Sequence, residues 1–332
     1  MRRYFARKVI TYSLTFIAAV TVDWAIPRMI PGNPIDDLMA RIGTRCSTAA
    51  CNNEIRNYFY NVFGLHKPLL TQYLDFWKAL FHGNLGTSFM SFPEPVSTVI
   101  TNAIPYTLGL LIPAILMAFW LGNKVGALAA RRKILDNSVL PLSYTLTATP
   151  YQWLAMLMAW LLAVTWRVFP IGKAYDPLTS PTWTFHFAVD YLDHWFLPFI
   201  SLFLVGFGGW AIGMRNMIIY ELESDYAHYL EALGAPRKLV RKYAYRNALL
   251  PQITGLALAI GTVVAGALVT EIVFNYPGLG SQILNAINNK DYFVLQGIFL
   301  FIIVGVLIAN FIVDIVYLFI DPRTRIGMQG GQ

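Results

Sequence analysis

The chain has 332 residues, of which 56% are hydrophobic and only 13% are charged. Soluble domains carry about 45–50% apolar and about 25% charged residues, so a soluble protein of this size would expose apolar surface that it could not bury. Disordered chains are poor in apolar residues, so the composition excludes disorder as well. The formal net charge of +7 suits nucleic acid, anionic lipid or membrane topology. In so apolar a chain, membrane topology is the simplest interpretation, and a bilayer-embedded protein is predicted.

Six stretches of the sequence are long enough, and sufficiently free of charge, to cross the hydrocarbon core of a membrane, which takes about 20 residues. Backbone groups in lipid must satisfy their own hydrogen bonds, so each stretch is predicted to be a helix. The first stretch is the least regular because Asp23 interrupts it. The six predicted spans are Val9–Ile26, Ile104–Asn123, Ser138–Trp166, Trp195–Met214, Gln252–Thr270 and Val294–Val313.

The start of the chain has two interpretations. Arg2, Arg3, Arg7 and Lys8 form a basic region ahead of an apolar stretch, as in a signal peptide. No small-x-small cleavage site follows at the right distance, so we expect a retained first helix.

The distribution of Lys and Arg predicts the orientation, because cytoplasmic loops are enriched in both. With the N-terminus inside, most of the 25 basic residues fall on the inner side. Most of the others lie in or beside the long first outer loop, where charge has little influence. The short outer loops carry only Arg167, Lys173 and Lys290. A multi-pass protein of the cell (inner or plasma) membrane with both termini in the cytoplasm is therefore predicted.

This topology divides the chain into four predicted segments. Residues 1–30 hold the N-terminal tail and the first span, residues 31–103 form an extracytoplasmic loop, residues 104–320 hold spans two to six, and residues 321–332 form a cytoplasmic tail. The long outer loop contains both cysteines, Cys46 and Cys51. They are either two free thiols or a short-loop disulfide, which an oxidising exterior permits.

The cytoplasmic loop at residues 216–250 is far longer than a simple helix connection requires. Its first part is acidic and amphipathic, with Ser224 as a plausible N-cap and Gly234 suited to closing the helix. Pro236 suits the first turn of a second, basic helix that is expected to end near Pro251. The alternatives are an interfacial helix on anionic lipid and a docking helix for a cytoplasmic partner. The acidic first helix argues against a purely lipid role.

The run from Asp225 through Gly234 to Pro251 resembles the glutamate–alanine–alanine loop of ATP-binding-cassette importer permeases, and more narrowly that of the dipeptide/oligopeptide permease family. Supporting motifs occur in order along nearly the whole chain: Pro31–Pro34, Gly64–Tyr73, Gly83–Ser88, Phe274–Gly280 and Asn310–Arg323. Two features depart from the family pattern. His228, Tyr229 and Leu230 stand at the usual Glu-Ala-Ala positions, and the spacing from Gly234 to Pro251 is one residue shorter than expected.

The resemblance implies an all-α polytopic membrane protein with six transmembrane helices, in the type I importer permease fold with a cytoplasmic coupling helix. It implies a second homologous permease subunit, two cytoplasmic ATP-binding subunits and an extracellular substrate-binding protein as partners, besides membrane lipids and without nucleic acid. This sequence lacks a phosphate-binding loop of the Gly-x-x-x-x-Gly-Lys-Ser/Thr type, so energy is expected to come from a partner and the chain itself is expected to be no enzyme. The residues expected to dock on the ATPase are Glu223, Asp225, Tyr226, His228, Tyr229, Glu231, Ala232, Gly234, Arg237 and Lys238.

Few other side chains suggest chemistry. Glu271, near the outer end of span five, either lines the pathway or reaches interfacial water. The histidines lack metal-ligand spacing, no catalytic constellation stands out, and no cofactor is expected. A secondary transporter, the alternative from another class, would normally place ionisable residues at mid-membrane, where this chain has almost none. Short peptides are the expected substrate, with oligosaccharides as the alternative because the outer segments are rich in aromatic residues.

Overall fold

The computed structural model describes residues 2–29, 31, 33, 35–36, 38–39 and 49–320. Within that part of the chain the regular structure is helical, with an isolated bridge between Thr87 and Pro95, which confirms the all-α prediction there. The helices are α1 (Arg2–Ala25), α2 (Ala49–Val62), α3 (Leu69–Phe81), α4 (Val96–Ala129), α5 (Lys133–Ala148), α6 (Tyr151–Met158), α7 (Phe185–Leu222), α8 (Asp225–Ala232), α9 (Arg237–Val273), α10 (Leu279–Asn288) and α11 (Tyr292–Ile320). A 3-10 turn at Ile26–Met29 follows α1, and a π-helical segment at Ala159–Thr165 follows α6.

Four helical segments among the described residues are long and apolar enough to cross a membrane. They are Ala6–Met29, Val96–Ala129, Phe185–Leu222 and Tyr292–Ile312. These segments contain or largely overlap the first, second, fourth and sixth predicted spans. The fifth predicted span lies inside α9, several of whose side chains fall outside the described residues, so a total of six spans remains a prediction.

The third predicted span is not one continuous helix, contrary to the expectation from its uncharged sequence. Helix α5 ends at Ala148, and α6 begins at Tyr151. Thr149 has extended backbone angles (φ −82°, ψ 123°), because the ring of the following Pro150 disfavours the helical conformation at the residue before it. Pro150 also lacks the N–H group that would continue the hydrogen-bond ladder. The helix is therefore interrupted within this apolar stretch.

The chain forms two compact units. The first unit comprises residues 1–105 and 281–307, and part of it packs around a cluster of buried apolar residues: Ile35, Leu38, Phe59, Phe63, Phe89 and Tyr292. The buried carboxylate of Asp291 accepts hydrogen bonds from the Ser88 hydroxyl (2.5 Å) and the Met90 N–H (3.0 Å). It also accepts from the N–H of Val294 in the first turn of α11. Asp291 thus ties the predicted outer loop to the start of the last helix. Cys51 lies in α2, whereas Cys46 lies outside the described residues, so their pairing remains a prediction.

The second unit comprises residues 106–280 and 308–332, and glycines let its helices approach closely. A Cβ atom built on Gly126 of α4 would lie 2.3 Å from the carbonyl oxygen of Ala211 in α7. One turn earlier in α4, a Cβ on Gly122 would lie 2.6 Å from the Cβ of Trp210. Small residues four apart are typical of membrane helix contacts, since without them the backbones could not come together.

An ion pair reinforces the same unit at the predicted cytoplasmic side. Arg215 of α7 donates to both carboxylate oxygens of Asp136 in the first turn of α5, over 2.9 and 2.7 Å. The hydrogen bonds from Arg215 lower the pKa of the Asp136 carboxyl below its ordinary value. Such a bidentate pair fixes orientation as well as distance, so it sets the angle between α5 and α7.

Candidate functional site

Helix α8 is the centre of the predicted docking loop, and the chain around it is more helical than the sequence indicates. Residues 216–222 extend α7, and residues 237–250 belong to α9, so the connection itself is only residues 223–236. The basic helix was expected to end near Pro251, but it runs on to Val273. Neighbouring helices and local adjustment let membrane helices tolerate an internal proline. One continuous helix therefore joins the docking loop to the fifth predicted span.

The two ends of α8 differ in how they are capped. Ser224 occupies the N-cap position as predicted, but its hydroxyl donates to the carbonyl of Glu221 (2.6 Å) and does not cap the helix. At the other end Gly234 is left-handed (φ +76°). Its N–H donates to Glu231 O and that of Ala235 donates to Leu230 O, over 2.9 and 3.0 Å. This is a Schellman motif, which confirms the predicted role of Gly234.

A partly buried hydrogen-bond network fastens α8 to its neighbours. One carboxylate oxygen of Glu221, at the end of α7, accepts from the Tyr226 hydroxyl (2.7 Å) and the Asn247 amide (3.2 Å). Burial and the hydrogen bond to Glu221 raise the pKa of Tyr226, so its hydroxyl remains a donor at neutral pH. Ala227 beside it is buried. These contacts link α7, α8 and α9 into one body.

A small apolar cluster forms the base of this body. It joins the ends of α4, α7 and α9 and contains the buried residues Ala127, Met214, Ile218 and Ala248, with Ala130, Met217, Leu222 and Tyr245 packed against them. The cluster therefore packs α4, α7 and α9 together beside the predicted docking loop.

The exposed surface of the loop contains nearly all the predicted docking residues. Those exposed are Glu223, Asp225, His228, Tyr229, Glu231, Ala232, Gly234, Arg237 and Lys238. Tyr226 is partly buried against Glu221, which makes it an anchor of the loop. The sequence prediction omitted Leu233, which is 66% exposed, as is Tyr229. Their spacing of four residues places both on one side of the loop. This spacing in the sequence could have predicted that Leu233 is exposed beside Tyr229.

A second feature is a cavity of about 650 Å³ in the second unit. Helices α4, α5, α6, α7 and α9 supply its walls, and the break between α5 and α6 lies in one of them. No charged side chain is among its lining residues, which are Leu111, Ala114, Ile115, Ala118, Thr147, Ala148, Thr149, Pro150, Tyr151, Leu202, Val205, Gly206, Gly209, Trp210, Pro251, Gln252, Gly255 and Ala259. Sequence analysis did not predict this cavity, because no local pattern brings these residues together.

Glu271 does not line the cavity. It is fully buried, and its carboxylate accepts the N–H of Gly280 (2.6 Å) and hydrogen-bonds to Thr107. The Thr107 hydroxyl in turn accepts the N–H of Leu279 (2.8 Å). Both N–H groups lie in the first turn of α10, where an acidic partner is favourable. These contacts are structural, and a role of Glu271 in the pathway remains a prediction.

The described residues contain no group of three or more His, Cys, Asp or Glu side chains that could hold a metal ion. The candidate site consists of the exposed surface of the predicted docking loop and an uncharged cavity, and helix α9 contributes residues to both.

Comparison with known proteins gives consistent matches. A family model described as binding-protein-dependent transport system inner membrane component matches residues 114–326. The di/tripeptide transport system permease protein DppB of Pseudomonas aeruginosa is 31% identical, over 98% of this chain and 99% of its own. The dipeptide transport system permease protein DppB of Escherichia coli K12 is 30% identical over the same shares. The probable D,D-dipeptide transport system permease protein DdpB of E. coli K12 is 33% identical over 96% of each chain.

Proposed function

The chain belongs to the family of binding-protein-dependent transport system inner membrane components, among its dipeptide/oligopeptide permeases, and on that premise we propose that it forms half of the translocation pathway of an ATP-driven importer of short peptides. The relatives reported above are all named for di- or tripeptide transport, which favours peptides over oligosaccharides. The working partners are a second homologous permease subunit, two cytoplasmic ATP-binding subunits and an extracellular binding protein. Both termini and α8 face the cytoplasm.

The observation that carries the docking role is the combination of a rigid base and an exposed apolar surface on α8. Tyr229 and Leu233 are exposed, and they lie between acidic Glu223 before α8, acidic Glu231 on α8 and basic Arg237 at the start of α9. An aromatic anchor with a charged rim is the usual composition of a protein interface. A helix that only lay on lipid would not need this acidic side.

The continuity of α9 links docking to the cavity. Arg237 and Lys238 form its first turn, and Pro251, Gln252 and Gly255 of the same helix lie in the cavity wall. The Glu221 network prevents α8 from moving independently of α9. When the ATP-binding subunits close, we expect α8 to be pushed and α9 to change its tilt, which alters the cavity.

The cavity has the chemistry that peptide passage requires. Thr147, Thr149 and Gln252 offer hydroxyl and amide groups in a wall that is otherwise mostly apolar, so a peptide backbone can exchange hydrogen bonds without meeting a fixed charge. A binding charge in this wall would retain one class of peptide and slow its release. We propose that this wall faces the pathway shared with the second permease subunit.

Purification of the tagged chain from its native membrane tests the proposal. We expect two ATP-binding subunits and a second permease to co-purify, and uptake of labelled dipeptides to require both ATP and the external binding protein. If the chain were a secondary transporter, it would purify without ATP-binding subunits, and its uptake of dipeptides would depend on an ion gradient. That result would contradict the proposed function. Panels of peptides and oligosaccharides on the binding protein would identify the substrate class.

Filling the cavity tests the pathway separately. A Cβ on Gly209 has no atom within 4 Å, so a side chain can begin there without a clash, and Gly209→Trp is expected to fill part of the cavity that this residue lines. We expect dipeptide uptake to fall by about tenfold or more, which corresponds to about 1.4 kcal/mol on the rate, while the ATPases still co-purify. Gly209→Ala is the matched control and should transport normally. Unchanged uptake by Gly209→Trp would remove this cavity from the pathway.

A further inference from the structure

Helix α3, in the predicted extracytoplasmic loop, has an apolar stripe that no described part of the chain covers. Leu70, Leu74 and Phe81 are 71%, 59% and 80% exposed. At 100° per residue they fall within about 40° of one another, and Trp77 lies in the same stripe. The more polar positions Thr71, Asp75 and Lys78 lie on another side of α3. A water-exposed loop helix would not normally present so much apolar area in one line.

The position of α3 against α1 shows what surrounds this stripe. The Tyr73 hydroxyl lies 2.8 Å from the Thr21 hydroxyl, and the Tyr73 ring packs on Trp24 with centroids 5.1 Å apart. One turn later, Trp77 meets Phe16 with centroids 6.2 Å apart. The contact therefore moves toward the middle of α1 as α3 proceeds. From Trp24 to Phe16 is eight residues, or about 12 Å along the axis.

Helix α1 provides the scale of depth, because Ala6–Met29 is long and apolar enough to cross the membrane. Phe16 lies near the middle of that segment, so Trp77 lies at membrane depth. Leu14 and Ile17 of α1 are likewise apolar and exposed, at 62% and 49%, so α1 also presents an apolar surface along this depth.

The polar residues of α3 are compatible with this depth. Asp75 pairs with Lys67 (2.5 Å), which offsets part of the charge. Gln72 and Asp75 face a cavity of about 170 Å³ inside the first unit, away from the stripe. Lys78 is exposed, and its long apolar stem can lie along apolar surface while the ammonium group extends toward the outer end of α1.

We propose that α3 is inserted into the leaflet that surrounds the C-terminal half of α1, with Leu70, Leu74 and Phe81 against lipid acyl chains. The predicted extracytoplasmic loop then includes a membrane-embedded helix that braces the first span. This inference concerns the lipid surface of the first unit and does not depend on which substrate the chain transports or on ATP-subunit docking.

Site-directed spin labelling tests this arrangement. The full-length chain, with the subunits that co-purify, is reconstituted into nanodiscs of phosphatidylcholine and phosphatidylglycerol. Nitroxides are attached through p-acetylphenylalanine at position 74 or 81, with position 71 on the polar side as the matched control, so that the native cysteines stay unchanged. We expect the ratio of oxygen to nickel-chelate accessibility to be several-fold higher at 74 and 81 than at 71.

Two results would overturn the proposal. Equal nickel-chelate access at all three positions would place α3 in water, and low access to both reagents at 74 and 81 would show that protein covers the stripe. Should a labelled variant not assemble, p-benzoylphenylalanine at position 74 provides a second measurement. Irradiation should then yield lipid adducts detectable by mass spectrometry of the intact chain, and their absence would also contradict lipid contact.

Discussion

Deletion of residues 224–234 is expected to abolish ATP-driven uptake while the chain still inserts into the membrane. The deleted segment contains α8, its Schellman cap and both exposed apolar side chains, Tyr229 and Leu233. It contains no part of a predicted span, so insertion signals stay intact. Without α8, closure of the ATP-binding subunits has no surface on which to act. The expected measurement is loss of dipeptide uptake in vesicles, together with ATPase activity that no longer responds to the loaded binding protein.

A single substitution tests the proposed interface without removing α8. Aromatic anchors at interface centres cost about 2 kcal/mol or more when truncated, so Tyr229→Ala should weaken retention of the ATP-binding subunits by about 30-fold. Tyr220→Ala is the matched control, because Tyr220 is 69% exposed and lies in the last turn of α7, outside α8. Equal losses in both variants, or uptake that survives the deletion, would show that α8 is not the docking element.

The second large effect is expected where α4 and α7 touch. Gly126→Ala adds a single methyl group, yet that carbon would lie 2.3 Å from the backbone carbonyl oxygen of Ala211. A backbone atom cannot rotate away as a side chain can, so the helices must separate. We expect the free energy of unfolding to fall by about 3 kcal/mol, at the upper end of overpacking effects. Reversible unfolding in mixed micelles, followed by tryptophan fluorescence, measures the change.

The control for this substitution is the same chemical change at an open position. Gly209→Ala meets no atom within 4 Å, and replacing a helical glycine with alanine stabilises a helix by up to about 1 kcal/mol. The two variants should therefore shift the unfolding free energy in opposite directions. If Gly126→Ala were as stable as the parent chain, the close approach of α4 and α7 would be wrong.

Local patterns predicted the features that depend on neighbouring residues alone. Uncharged runs identified α1, α4, α7 and α11, because burial in lipid constrains each residue of a span in the same way. Gly234 was identified from its place after an amphipathic run, since few other residues adopt the left-handed conformation at a helix end. Docking residues such as Tyr229 followed from their position in the loop, although a role in docking remains a proposal.

Features that depend on distant residues escaped prediction. Pro141 and Pro150 lie in the same uncharged stretch, yet Pro141 stays inside α5 whereas Pro150 separates α5 from α6. Pro251 likewise sits inside α9. Which proline interrupts a helix depends on the partners that the fold supplies to the freed carbonyls. The anchoring role of Tyr226 was not predicted, because the network that holds it includes Asn247, 21 positions away in the sequence.

Helix α9 has a thermodynamic consequence that follows from its continuity. It is 37 residues long, or about 55 Å, and it connects the proposed docking end with the turn after Val273 at the opposite end. Suppose that docking of the ATP-binding subunits shifts the preferred orientation of this helix, and that a ligand at the opposite end also binds one orientation more tightly. The factor by which the ligand changes the affinity for the ATP-binding subunits must then equal the factor by which those subunits change the affinity for the ligand. Linkage requires this symmetry between the two binding free energies. The loaded external binding protein and the nucleotide-bound ATPases should therefore each tighten the binding of the other to an equal degree.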